Sequence, residues 1–279
     1  MAIPLLIDTD PGVDDAFALA LAARSPEVDL IGVTTVFGNV DVEQTTRNAQ
    51  RLLAHLGRTD VPVAKGAAGP ARDAREVHGE DGLSGLAHTL PEHDELDERD
   101  AVTFLKTKLK EYPDATVAAI GPLTNIARLL DTGTHIKRLI VMGGGIGQGN
   151  VTETAEFNFW SDPQSASRVL RTNPLVVPIN LTRQCLADGP WLDTLDPVLN
   201  SFTPQYRRHL HGRTGQDGIL IHDAVAVAEA IWPGTLTTRT HLLDVEDTGA
   251  LVDGKHQVEV AESTDWEALK ALLGKRLSG

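Results

Sequence analysis

The stretch Asp8-Thr9-Asp10-Pro11-Gly12-Val13-Asp14-Asp15 constrains the fold more than any other part of the chain. A short apolar run, Ile3-Pro4-Leu5-Leu6-Ile7, precedes it, and an Ala/Leu-rich run from Ala16 to Ala23 follows it. A short apolar segment bounded by turn residues reads as a buried strand, and the Ala/Leu run reads as a buried helix. Pro11-Gly12 is the turn between them. Four carboxylates therefore gather at the carboxyl end of a strand and the amino end of the next helix. In open α/β sheets that crevice is where ligands bind.

Capping alone explains one such acid: Asp14 can cap the helix and Asp15 can favour its dipole. It does not explain the cluster. Two carboxylates about 4 Å apart repel by roughly 4 kcal/mol at an effective dielectric of about 20. A fold gathers several only where a cation or shared protons offset that repulsion. No basic residue lies within the stretch. Oxygen-only ligands suit calcium or magnesium and not zinc.

Strand-like and helix-like runs alternate along the rest of the chain. Asp29 to Val36 reads as a second strand, ending in a Phe37-Gly38-Asn39 turn, and Val42 to Leu56 as a helix. Further strands are expected at 61–64, 116–120, 139–142 and 175–179, and helices at 101–111, 163–171, about 197–211 and 224–231. Gly66 to Leu90 is rich in Gly, Asp, His and Glu and reads as a lid or a surface insertion. Asn150 to Trp160 reads as irregular, Gly212 to Gly218 as a glycine-rich loop, and the tail as short strands followed by a helix from Asp265. Gly143-Gly144-Gly145 fits G-x-G-x-x-G in no register, so no dinucleotide fingerprint is expected; the glycines would let backbone approach a ligand. No repeat or linker interrupts the pattern. One α/β domain over 1–279 is expected, with a doubly wound, mostly parallel sheet flanked by helices.

The composition is that of a globular chain: 279 residues, 41% hydrophobic, with formal charge 25 − 39 = −14. Such acidity disfavours nucleic acid and anionic membranes as partners. The single cysteine, Cys185, excludes an internal disulfide and reads as a small buried residue. The first residues run straight into the first strand with no basic or long apolar segment, so cytoplasmic residence is the expectation.

Taken together, Asp8 to Ala16, Thr35-Val36-Phe37-Gly38-Asn39, Ile120 to Asn125, Val141 to Gly145, Ala155 to Asn158 with Asp162-Pro163, and Ile221-His222-Asp223 resemble the inosine-uridine-preferring nucleoside hydrolases, in family order across nearly the whole chain. The resemblance implies calcium-dependent hydrolysis of the N-glycosidic bond of ribonucleosides, in purine and pyrimidine salvage. It implies that Asp10, Asp15, Asp223 and the carbonyl of Ile120 hold calcium, and that Asp14, Asn158 and Asp223 bind the ribose diol. Asn150 and Glu156 would lie toward the 5′-hydroxyl, with Met142 and Asn39 also against the sugar. Asp10 would be the general base and His222 the candidate acid, with His78 a lid histidine. A homodimer or homotetramer is the expected assembly. Phe157, Phe159 and Trp160 read as pocket wall or core, and the loop near the base offers Arg213, Gln216 and Asp217.

The chemistry is consistent with that set. Glycoside cleavage passes through an oxocarbenium-like sugar, which carboxylates stabilise. Two rival classes remain. An aspartate-nucleophile metal phosphohydrolase would need Gly-Thr soon after Asp10 and a lysine at the phosphate, and Pro11-Gly12-Val13-Asp14 breaks that pattern. A calcium-dependent ribose-binding protein without catalysis would not need both Asp10 and Asp14.

Overall fold

The computed structural model describes residues 2–70 and 75–278. Its strands are β1 Ile3–Thr9, β2 Val28–Thr35, β3 Val63–Lys65, β4 Thr116–Ala119, β5 Arg138–Met142, β6 Leu175–Val177, β7 Leu186–Asp188, β8 Gly218–Leu220, β9 Leu236–Val245, β10 Leu251–Asp253 and β11 His256–Thr264. Nine form one sheet in the order β10-β9-β11-β6-β5-β4-β1-β2-β3, and β7 pairs with β8 apart from it. From β3 across to β11 every pairing is parallel; β9 and β10 extend the sheet as an antiparallel ribbon. This is the mostly parallel, helix-flanked α/β sheet that the sequence predicts.

The two faces of the sheet can be read in the period-two pattern of its strands. Leu5 and Ile7 enter the apolar layer on one side and Leu6 the layer on the other; Ala118 and Ile140 oppose Val117 and Val141 in the same way. Helix Val13–Ala23 is buried from Val13 to Ala22, and it packs on the apolar helix His222–Ile231. Helices Ala101–Glu111, Thr124–Asp131 and Pro163–Leu170 cover the opposite face.

The chain runs outward from β1 through β2 to β3, then crosses back to β4 and runs outward the other way. The strand order therefore reverses between β1 and β4. A crevice opens at the carboxyl ends of strands at such a point.

Several local expectations need correction. Asn150 to Trp160 is not irregular throughout: Phe157–Ser161 is a helix capped by the Glu156 side chain. The helix expected near 197–211 is two, Pro197–Ser201 and Thr203–Thr214, and it runs into the supposed glycine loop before Gly215 ends it at φ 75°. The strand expected at 175–179 stops at Val177, and helix Ile179–Thr182 follows. In the Gly66–Leu90 stretch, residues 71–74 lie outside the described residues. The rest is anchored rather than a loose insertion. Leu83, Ala87 and Leu90 are buried, and the Asp81 carboxylate accepts from the backbone N–H groups of Leu83, Gly85 and Ala87.

Candidate active site

The turn after β1 puts Asp10, Asp14 and Asp15 at the crevice, and the start of helix His222–Ile231 brings Asp223 to meet them. One oxygen from each of Asp14, Asp15 and Asp223 lies within 4.8 Å of the others. All four acids are buried. Burial raises the carboxyl pKa of each, and mutual repulsion adds to it: the Asp15 charge for Asp10 and Asp14, and the charges of Asp14, Asp15 and Asp10 for Asp223. The Asp223 side chain beside Asp14 offsets part of the rise at Asp14. Carboxylates this close share a proton or hold a cation. The donor set is oxygen only, as a hard divalent ion requires.

Neighbouring groups fix the acids in place. Asp15 accepts from the Thr9 hydroxyl, from Gly12 N at 2.9 Å and from Asn39 Nδ2 at 3.1 Å. Asn39 N donates to Asp10 Oδ2 at 2.8 Å, and its side-chain amide also reaches Asp10 O at 3.0 Å. The Ile120 carbonyl, at the end of β4, accepts from Asn158 Nδ2 at 3.0 Å, which also reaches Met142 O at 3.2 Å. That leaves the Asn158 carbonyl oxygen for a hydroxyl donor.

Glu156 is held by three backbone N–H groups: Asn158 at 2.9 Å, Gly144 at 2.8 Å and Phe159 at 3.2 Å. Burial still raises its carboxyl pKa. Asn150 Oδ1 accepts from Phe157 N at 2.9 Å, and Asn150 lines the cavity. Gly143 and Gly144 have a packing role. They seat the Phe159 ring, which a Cβ would meet at 2.6 Å and 3.0 Å respectively, and Gly144 N orients Glu156.

These groups line a cavity of about 760 Å³. Every residue that the sequence singles out for catalysis, metal or sugar lines it except Asp15, which lies beneath the floor with an oxygen in the acidic cluster. Asp8 stands apart from the cavity. Its Oδ1 accepts from Thr34 at 2.5 Å and Asn125 at 2.8 Å, and burial raises its pKa to about 7.

Basic and aromatic side chains also line the cavity, and His78 Nδ1 lies 3.9 Å from Asp14 Oδ1. His222 Nδ1 lies 2.6 Å from the Thr182 hydroxyl. Burial, with the Arg183 charge, lowers the His222 pKa to about 4, so it is neutral at pH 7. Carboxylates nearby favour the charged ring and burial the neutral one, and burial is the larger effect. His78 Nδ1 accepts from Val13 N at 3.1 Å, and burial, with the charges of His222 and His209, lowers its pKa to about 3.

Helix Thr203–Thr214 closes this end with Tyr206, His209, Leu210, Arg213 and Thr214. None but Arg213 was anticipated. The signal was present, since positions i, i+3, i+4, i+7 and i+8 share one helix face; it was masked because half of that face is polar. Phe157 also lines the cavity, whereas Phe159 is core and Trp160 packs on Phe157. Asp217 is tied to Arg207 and does not line the cavity. No lysine lines it among the described residues, so a phosphohydrolase lacks its expected phosphate ligand.

Comparison with known proteins agrees with this architecture. The family profile described as inosine-uridine preferring nucleoside hydrolase matches residues 5–271. The non-specific ribonucleoside hydrolase RihC of Escherichia fergusonii is 39% identical over 274 residues, covering 93% of this chain and 89% of that protein. The protein of the same name from Escherichia coli SMS-3-5 is 38% identical with the same coverage. Among solved structures, the plant nucleoside hydrolase PpNRh1 superposes with a TM-score of 0.94 at 31% identity over 100% of both chains. The purine-preferring ribonucleoside hydrolase from Gardnerella vaginalis gives 0.91 at 27% identity, over 98% of this chain and 97% of that one. The acidic crevice thus sits on a fold and a sequence shared along almost the whole length with N-glycosyl hydrolases, and the chain belongs to the inosine-uridine preferring nucleoside hydrolase family.

Proposed function

We propose that this chain is a calcium-dependent ribonucleoside hydrolase that releases free base and ribose. The observation that carries the reading is the buried oxygen cluster of Asp14, Asp15 and Asp223 at a cavity that His78, His222, Arg183 and Arg213 also line. Asp10, Asp15, Asp223 and the Ile120 carbonyl would hold the ion. When bound, calcium supplies a fixed positive charge that orients the attacking water and the vicinal diol.

The chain's own residues account for the rest. Asp14, Asn158 and Asp223 pair the 2′- and 3′-hydroxyls. Asn150 and Glu156 face the 5′-hydroxyl, and Met142 and Asn39 close around the sugar. Asp10 takes the proton of the attacking water, since calcium acidifies water only weakly. As the C1′–N bond breaks, the sugar becomes cationic, and the ring of carboxylates stabilises that charge. The electron pair leaves with the base, toward His222 and His78. Salvage in the cytoplasm, by a single-domain protein assembled as a homodimer or homotetramer, is the wider setting proposed from the family resemblance. Among the described residues no helix is long and apolar enough to cross a membrane.

A panel of ribonucleosides, their 2′-deoxy counterparts and p-nitrophenyl phosphate tests the reading. Ribosides should release reducing sugar. The 2′-deoxy forms should be slower by about 10⁴-fold, because a site built to pair a hydroxyl is left with unpaired polar groups. Phosphate release without riboside cleavage would assign a phosphohydrolase; ribose binding without any turnover would assign a binding protein.

A further inference from the structure

Behind His222 lies a residue that neither the motif nor the cavity wall includes. β6 ends at Val177, Pro178 opens helix Ile179–Thr182, and that single turn delivers Thr182 to the back of the imidazole. Thr182 is fully buried, and its Oγ1 sits 2.6 Å from His222 Nδ1. Among the described residues this hydroxyl has no other hydrogen-bond partner, not even a carbonyl of its own turn. A hydroxyl carries one proton, and among the described residues only Nδ1 is placed to take it, so donation to Nδ1 is the arrangement that leaves that proton paired. An imidazole that accepts at Nδ1 carries its proton on Nε2.

We propose that Thr182 is a positioning residue: its hydroxyl donates to His222 Nδ1, fixes the imidazole as the Nε2–H tautomer, and aims that N–H at the departing base. The inference rests on the reading of the cavity as a nucleoside hydrolase site. The geometry of the second histidine runs parallel. The Val13 backbone N–H can only donate, so His78 Nδ1 must accept and its proton must also lie on Nε2. Both histidines line the cavity in which the base would lie.

No covalent step is added. When the glycosidic bond breaks, its electron pair moves onto the base, and the Nε2–H of His222 hydrogen-bonds the atom that gains the charge. A neutral imidazole acts in this way as an electrophile without becoming an imidazolate. With the other tautomer, Nε2 would present a lone pair to a developing anion, and the contact would become repulsive.

The test combines ¹⁵N spectroscopy of the His222 ring with kinetics on inosine and on p-nitrophenyl riboside. p-Nitrophenolate is already a stable anion and needs no donor. In the wild type, Nδ1 should resonate as a bare acceptor nitrogen and Nε2 as a protonated one; a protonated Nδ1 overturns the proposal. Thr182→Val keeps the shape and removes the hydroxyl. It should lower kcat on inosine by about 10–100-fold, the usual cost of losing an orienting partner. KM should stay near its wild-type value, and p-nitrophenyl riboside should lose far less. Thr182→Ser should recover most of the inosine rate. Equal losses on both substrates, or no loss on inosine, would overturn the positioning role. His222→Ala separates the two levels. If that variant loses both substrates equally, the reading of His222 at the leaving group fails. If it spares p-nitrophenyl riboside while Thr182→Val is harmless on inosine, only the proposal for Thr182 fails. Should Thr182→Val not fold, the wild-type spectrum and Thr182→Ser still decide.

Discussion

Asp10 is held between two glycines. A Cβ on Gly38 would lie 1.9 Å from its Oδ2, and one on Gly121 would lie 2.6 Å from its Oδ1. Both neighbours must therefore lack a side chain for this carboxylate to sit where it does. That explains why Phe37-Gly38-Asn39 and Ile120-Gly121-Pro122 flank the acidic turn in space, although neither glycine carries chemistry. The backbone N–H of Asn39 then orients Oδ2. Asp10→Asn keeps the volume and removes the basic oxygen. Turnover on inosine should fall by about 10²–10⁴-fold, the usual weight of a general base, while the circular dichroism spectrum stays unchanged. Near wild-type turnover would move the role of base to another residue.

At the scale of elements, helix His222–Ile231 carries the site at one end and a clamp at the other. Glu229 is buried near its last turn and accepts from Arg138 Nη2 at 3.0 Å, Gly234 N at 3.1 Å, Thr235 Oγ1 at 3.1 Å and Leu236 N at 3.0 Å. It thus pins the start of β9 and the start of β5 to the helix that delivers Asp223. Glu229→Ala strands several donors at once and should lower stability to urea by about 2–4 kcal/mol; Glu229→Gln, which keeps an acceptor oxygen, should lose less. This clamp is invisible in the sequence because its partners are backbone groups and a residue 91 positions away. The parallel strands were legible because burial on both faces writes them as apolar runs such as Leu5-Leu6-Ile7. β9 was not: its stretch Thr237-Thr238-Arg239-Thr240-His241 is largely solvent-facing, so only Leu242-Leu243 stood out. Helix Phe157–Ser161 was missed because five residues show no period, and its one local signal, the Glu156 cap, had been read as a sugar ligand. The acids were legible because local repulsion demands an explanation wherever they fold. The base-facing wall was not, because Tyr206, His209, Leu210 and Arg213 mix apolar and polar types on one face.

For the whole molecule, the question is what keeps a crevice of buried like charges folded. Part of the answer lies far from the cavity, where Asp196 ties the two ends of the chain. It pairs with Arg24 at the end of helix Val13–Ala23, lies 3.5 Å from His55, and its backbone N donates to Leu277 O at 2.8 Å. Burial opposes ionisation of Asp196, but hydrogen bonds from Arg24 and Val198 N, with the charges of Arg24 and His55, outweigh it and hold the carboxyl below its ordinary value. A carboxyl with a depressed folded pKa contributes stability above the unfolded value of about 4, and loses it as pH falls through the lower folded value. Asp196→Asn should therefore lower the urea midpoint at pH 7, and the gap to wild type should shrink at pH 3; a gap independent of pH would mean that the charge is irrelevant. For the cavity itself, the proposed cation would offset the rest. Asp14, Asp15 and Asp223 bring their oxygens within 4.8 Å of one another, and the basic side chain His78, whose Nδ1 lies 3.9 Å from Asp14 Oδ1, has its pKa lowered to about 3 by burial. Calcium that binds only the folded chain adds RT ln(1 + [L]/Kd), about 2.7 kcal/mol at 100 times Kd. For a chain of this size that corresponds to a rise of roughly 5 °C or more in melting temperature. Chelation should remove that rise together with riboside hydrolysis, and added calcium should restore both. Elemental analysis finding no metal in fully active protein would show that protons alone reconcile these carboxylates.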